Sequence, residues 1–358
     1  MRTPRFRRVT LTCCAAIFPT FVTAPLAQAY RFYPVSDERW IVPASAALRW
    51  ETEDFPLRFH LQDNVPNYLD ETRWRNIAAA ALREWSSIPT ADIDLRLEPG
   101  WVQGEGPDRS DGMFTIGWVP SGDENPFSGR APLWSSVSTG RLTHCDIELS
   151  VDHFRGRLDD GVDREEVEQW MWELLVHEIG HCLGLRHTEP HPIPGWLAHS
   201  QERPPPIPAG FLPETVMSYG FGPMGEVSED EKTGVSLLYP ASGFVASRGG
   251  VSGRLVGDSG TVPFAYIQAV YPGSRPRMGP GAFADETGYF HLEGLRPGTV
   301  LVWIHPILIH YNNAHGDILA MAFDGGGLDV LDQWQWVEVT PGQTIGVADI
   351  EVESGRLR

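Results

Sequence analysis

The chain has 358 residues, a formal net charge of −19, 42% hydrophobic and 21% charged residues, and four cysteines. An acidic balance of that size argues against nucleic acid and anionic membranes as partners, and favours solubility. The length allows two domains, each with its own core.

Residues 1–29 read as an export signal. Arg2, Arg5, Arg7 and Arg8 precede an apolar run from Val9 to about Leu26, and Ala27-Gln28-Ala29 supplies the small-x-small cleavage pattern. The expected mature chain starts at Tyr30 and is secreted, extracellular or periplasmic. Losing those four arginines and no acidic residue takes the formal charge from −19 to −23. No second membrane-length apolar segment follows. Cys145 and Cys182 are then the cysteines left. An even pair in an exported protein is more often a disulfide than two buried thiols, the alternative.

Residues 30–50 read as a lead-in segment without a cysteine. From 51 to 241 strands and helices alternate. Leu57, Phe59 and Leu61 alternate along a strand at 55–62. A helix opens at Asp70 with acidic residues in its first turn, and Trp74, Ile77, Ala78, Ala81, Leu82 and Trp85 form its apolar stripe. Ile93, Leu95 and Leu97 mark a strand, and residues 113–119 another. A second helix starts near Asp163, with Glu166 placed for a capping box and Val167, Trp170, Met171, Leu174, Leu175 and Ile179 on its buried side.

That helix runs into His177-Glu178-Ile179-Gly180-His181, with Gly184 and His187 following. Histidines four apart lie one above the other on one helix face, so their imidazoles can converge on one ion. Glu178 sits one step round, within reach of a water but not a ligand. Gly184 permits the positive φ that ends a helix and returns the chain, bringing His187 as a third nitrogen donor. Three neutral imidazoles and an open fourth position describe a catalytic zinc site. Cys182 is not a ligand, since its side chain points about 100° away from that of His181. The proline-rich stretch 190–213 reads as an extended wrap, with His191 and His199 as surface residues. Ser228 is expected to cap a final helix with Glu229, Asp230 and Glu231 in its first turn, ended by Pro240.

The extended histidine pattern, together with Glu214-Thr215-Val216-Met217-Ser218-Tyr219-Gly220 as a tight turn carrying a methionine, resembles the metzincin family of zinc peptidases. The resemblance implies an α+β catalytic domain with a twisted mixed sheet, long helices and zinc in a cleft. It implies metal ligands His177, His181 and His187, catalytic Glu178, and Met217 beneath the metal. Thr188, the stretch 122–129, His144 and Asp146 are similar to the matrixin branch. Two structural-zinc histidines of that branch are replaced by Ser121 and Ser136, leaving Asp123 and His144, and its calcium-loop acid is Ser128. One Zn2+ is therefore expected, with Ca2+ left open. Tyr219 follows the methionine by two, a spacing similar to other metzincin branches, and can contact an oxyanion or be a packed aromatic.

From Ser242 to 358 the texture changes to short alternating runs with glycine and proline turns. Strands at 252–256, 265–270, 287–292 and 300–304, and one after Thr340-Pro341-Gly342, imply an all-β sandwich. The pattern from Asp285 to Gly298 resembles carboxypeptidase regulatory-like domains, which implies no catalysis. His305, His310 and His315 read as packing residues.

The expected function is secreted zinc-dependent hydrolysis of peptide bonds in a protein or peptide substrate, with Glu178 as general base. Two rivals remain. One is an inactive adhesion or carbohydrate-binding protein on the same scaffold, which has no physical need for Glu178. The other is a zinc-stapled structural protein, which needs a fourth protein ligand.

Overall fold

In the computed structural model the described residues are 31–33, 44–104, 112–120, 127–187 except 137, 215–217, and 226–351 except 258–259, 263–264, 274–276, 286, 305–306, 312–317 and 323–333. The expected export signal, Ser121, Asp123, Thr188, His191, His199 and the side chains of His305, His310 and His315 lie outside them. The chain is mixed α and β, with a β-rich C-terminal region and two separate apolar cores.

The first half holds strands β1 (Arg31–Phe32), β2 (Leu57–Gln62), β3 (Leu95–Val102), β4 (Phe114–Val119), β5 (Gly129–Arg130), β6 (Leu133–Ser136), β7 (Arg141–Cys145), β8 (Ile147–Ser150) and β9 (Leu185–Arg186). Five of them form a sheet in the order β3-β2-β4-β8-β5, parallel except for β5, which runs antiparallel to β8 at the edge. In β2, Leu57, Phe59 and Leu61 are buried while Arg58 faces water, as the alternation requires.

Helix α1 (Glu71–Ser86) begins where Asp70 accepts a hydrogen bond from the Arg73 amide at 2.9 Å. Trp74, Ala78, Ala81, Leu82 and Trp85 bury its one apolar face. The Trp85 indole donates to the Val176 carbonyl at 2.8 Å, which seats α1 against α3 (Arg164–Cys182). A shorter helix, α2 (Val151–Asp159), precedes α3. Two expectations for α3 need correction. Asp163 caps it by accepting from the Glu165 amide, one residue short of a capping box with Glu166. Nor does α3 bury a stripe only, because every residue from 175 to 185 is buried. It is a central helix, and apolar periodicity fades when all faces are inside.

The lead-in segment is also more than a leader. Phe32, Ala47, Leu48 and Trp50 belong to the first core, and the Trp50 indole donates to the Cys182 carbonyl at 2.7 Å. β1 pairs with β9, with Phe32 opposite Leu185.

Cys145 and Cys182 form a disulfide, with Cα atoms 5.6 Å apart, tying β7 to the last residue of α3. It closes a loop with a sequence separation of 37. Loop-closure entropy then gives about 3–4 kcal/mol of stabilisation. Replacing both cysteines by alanine should lower the urea-unfolding free energy by that amount; a loss under about 1 kcal/mol contradicts it.

The first half ends with helix α4 (Glu229–Leu238), whose Val235 and Leu238 lie in the first core, and a single turn, α5 (Phe244–Ser247), leads into the second half. Strands β10 (Gly249–Gly257), β11 (Gly260–Thr261), β12 (Tyr266–Tyr271), β13 (Arg277–Phe283), β14 (Tyr289–Leu295), β15 (Gly298–Ile304), β16 (Ile307–Tyr311), β17 (Ile318–Ala322), β18 (Trp334–Val339), β19 (Thr344–Gly346) and β20 (Ile350–Glu351) follow. One sheet runs β11-β10-β14 with β19 and β20 also on β10, and the other runs β13-β12-β15-β18. Val251, Leu255, Phe290 and Leu292 from the first meet Ile267, Val300, Val302 and Val337 from the second in one core. β16 and β17 pair as a hairpin. The expected strands at 252–256, 265–270, 287–292 and 300–304 overlap β10, β12, β14 and β15. β13 and β18 were not anticipated.

The two halves meet at α4. The Arg296 guanidinium donates to both carboxylate oxygens of Glu229, at 3.0 and 2.5 Å. The Gly281 amide on β13 donates to Asp230 Oδ1 at 2.9 Å.

Candidate metal centre

The last turns of α3 place His177 and His181 on one face, and the chain then reverses at Gly184. Gly184 has φ +96°, and a Cβ built there would lie 2.8 Å from the Leu48 carbonyl oxygen. Both demands select glycine. Gly184→Ala should cost about 1–3 kcal/mol of stability in thermal or urea unfolding. An unchanged transition midpoint would show that the turn relaxes freely.

The reversal delivers His187 to the other two. The three Nε2 atoms form a triangle with all sides 3.1 Å. A regular tetrahedron with zinc–nitrogen bonds of about 2.0–2.1 Å puts its nitrogens about 3.3 Å apart, so the donor set fits such an ion. The second nitrogens strengthen the fit. His177 Nδ1 donates to the Val216 carbonyl at 2.6 Å, and His181 Nδ1 to the Leu185 carbonyl at 2.8 Å. A neutral imidazole has one proton, so both Nε2 atoms present bare lone pairs to each other. Burial pushes His177 down to about 4 and His181 down to about 3, which keeps both neutral at pH 7, the ligating form. Among the described residues these three histidines form the one group arranged to hold a metal ion.

Glu178 is 3% exposed, and burial pushes its carboxyl up to about 8. Gly129 on the edge strand β5 lies over it, since a Cβ built at Gly129 would be 3.0 Å from Glu178 Oε1. The carboxylate thus lies beside β5, the last strand of the sheet among the described residues. Nearby charge is scarce, so a divalent cation at the histidines would draw this group back toward ionisation.

Met217 is fully buried under α3, where a Cβ on Gly180 would collide with its sulfur. The Met217 amide donates to Glu231 Oε1 at 2.9 Å, and Glu231 Oε2 accepts from the Ser228 amide at 2.7 Å in a capping box. Tyr219 lies outside the described residues. His144 and Asp146 are brought together, Nε2 to Oδ2 at 3.0 Å, and Asp146 Oδ1 also accepts from the Thr115 amide and hydroxyl. His144 lies opposite Trp134 on β6, with the two ring centroids 5.0 Å apart.

Several contributors to the site were not named from sequence. The Val216 and Leu185 carbonyls carry no side-chain signal. Glu231 had one, the Ser228-x-x-Glu231 spacing, but it was read only as one of three acidic residues in the first turn of a helix capped by Ser228. Gly129 was read only as the end of the stretch 122–129, and its place over Glu178 becomes visible once β5 is at the sheet edge.

No family model matches the chain, and no curated protein matches it. Solved structures that match include the major pilin subunit of Bacillus cereus, at 13% identity, 30% of this chain, 31% of that one and a TM-score of 0.21. The minor pilin of Streptococcus agalactiae matches at 15% identity, 32% of this chain, 48% of that one and a TM-score of 0.20. A protein from Pseudomonas aeruginosa, described as a candidate carbohydrate binding protein, matches at 13% identity, 30% of this chain, 90% of that one and a TM-score of 0.19. The chain spans 16%, 31% and 48% of the first three structures it matches. Likenesses this partial carry no argument about function.

The metzincin resemblance, and with it the matrixin and carboxypeptidase regulatory-like readings, is corrected by these results. No family model and no curated protein returns any of them. The physical reason is that two short motifs determine the local geometry of one helix end and one turn, not a whole fold. The chain is assigned to none of these families.

Proposed function

We propose that the protein is an exported zinc-dependent hydrolase of peptide bonds, with His177, His181 and His187 as metal ligands and Glu178 as general base. The observation that carries this reading is the triangle of Nε2 atoms at 3.1 Å whose partner nitrogens donate to backbone carbonyls, with a buried carboxylate beside it. A zinc ion bound there supplies an electrophile that acidifies a water and polarises a carbonyl. Glu178, ionised, would be the group that accepts a proton from the attacking water and passes it to the departing amine. Edge strand β5, beside Glu178, supports a peptide substrate, because an extended chain can add to an open sheet edge. The Cys145–Cys182 disulfide fits an oxidising compartment, and residues 1–29 act as export signal in this reading. Among the described residues no helix is long and apolar enough to cross a membrane.

Zinc titration and incubation with a peptide library test the proposal together. One zinc per chain and chelator-sensitive cleavage are expected; a folded, zinc-loaded protein that cleaves nothing sinks the enzymatic reading. The second reading, adhesion or carbohydrate binding, is favoured by Trp334 and Trp336, exposed on the same face of edge strand β18. It predicts glycan binding that survives chelation.

A further inference from the structure

The acidic first turn of α4 is inside the protein, unlike the acidic residues that open α1 and α3, which are exposed. Asp230 and Glu231 are 3% and 0% exposed. Burial raises both carboxyls above their usual range. Two adjacent buried acids cost free energy unless something holds them. The three consecutive acids point to three different places. Glu231 holds the Met217 and Ser228 amides on the metal side. Asp230 accepts from Gly281 on β13, and its other oxygen is buried without a hydrogen-bond partner. Glu229 pairs in two bonds with Arg296, which follows β14. Thr233, one turn along, lies against Gly294 so closely that a Cβ there would overlap it.

We infer that the β-rich C-terminal part is a positioning element of the metal centre. It seats α4 through Gly281 and Arg296, α4 places Glu231, and Glu231 fixes the Val216–Met217 turn whose carbonyl orients His177. Without the C-terminal contacts the acidic turn gains by moving into water, and Glu231 withdraws from the Met217 amide. His177 then loses the acceptor that sets its tautomer and ring angle. Asp230, Glu229 and Arg296 are positioning residues in this scheme, and none touches the metal. The inference rests on His177 being a metal ligand.

The test uses the full chain and two readouts besides activity: zinc affinity by competition with a chromophoric chelator, and the visible bands of the cobalt-loaded protein. Arg296→Glu and Asp230→Ala should each weaken zinc about tenfold, as removal of outer partners of metal ligands does, and shift the cobalt bands. The swap Glu229→Arg with Arg296→Glu, and Asp230→Asn, which keeps an acceptor for Gly281, should restore both readouts. Folded variants with wild-type affinity and unchanged bands overturn the inference while leaving the proposed function intact. If Arg296→Glu does not fold, Arg296→Gln takes its place with the same two outcomes. A wild-type protein that binds no zinc overturns the proposed function and this inference with it.

Discussion

His187→Ala is expected to weaken zinc binding by more than about 100-fold while the protein stays folded. Loss of an outer partner of a metal ligand alone costs about 10–100-fold in affinity, and removal of a donor nitrogen must exceed that. His187 is the best of the three for this test. His177 and His181 lie inside α3 among residues buried on every side, so truncation there also leaves a cavity. His187 is only partly buried and follows β9, beyond the disulfide that ends α3. Its removal leaves the α3 cap, the Trp85–Val176 bond and the Cys145–Cys182 bridge in place. Far-UV circular dichroism and the unfolding midpoint should therefore match the wild type measured without metal. An affinity loss below tenfold would show that His187 is a neighbour of the ion rather than a ligand.

What could be read from the sequence was set by whether physics acts locally. α1 was legible because one face is buried and one is wet, and because Asp70 caps it within four residues. β2 was legible because it alternates. The histidine cluster was legible because helical spacing puts His177 above His181, and because Gly184 can take the φ of +96° that the reversal needs. β13 was missed for the opposite reason. Its Gly279-Pro280-Gly281 reads as a turn, yet glycine is demanded there by neighbours distant in sequence. A Cβ at Gly279 would meet the Tyr271 ring, one at Gly281 would meet the Tyr266 side chain, and the Gly281 amide is the partner of Asp230. The capped acidic turn of α4 was expected, but not its burial: sequence shows three carboxylates at a helix start, where the dipole favours them. Only the fold shows two of them buried. The family resemblance failed at a larger scale, since motifs that specify ligand geometry say little about the scaffold around them.

Glu178→Gln separates a catalytic carboxylate from a structural one, because the two roles predict opposite signs. Glutamine has nearly the same shape, so it can take the carboxylate's place beside Gly129. As a general base, Glu178 contributes roughly 10²–10⁴ in rate, and kcat should fall by that factor with zinc affinity nearly unchanged. Stability should move the other way in the metal-free protein. The folded-state carboxyl is raised from 4.5 to about 8 by burial, so between those values the folded chain holds a proton the unfolded chain has lost. Wild-type stability therefore declines as pH rises from about 4.5 to about 8 and levels off above that. Glutamine has no proton to lose, so the variant should gain on the wild type steadily across that window and match its slope below it. Urea midpoints at several pH values, read after chelation, measure the divergence. A carboxylate kept for structure gives the reverse: Glu178→Gln would destabilise at neutral pH and leave turnover largely in place. Lower activity with higher metal-free stability at pH 8 is what a site that stores an unfavourable charge for chemistry must show.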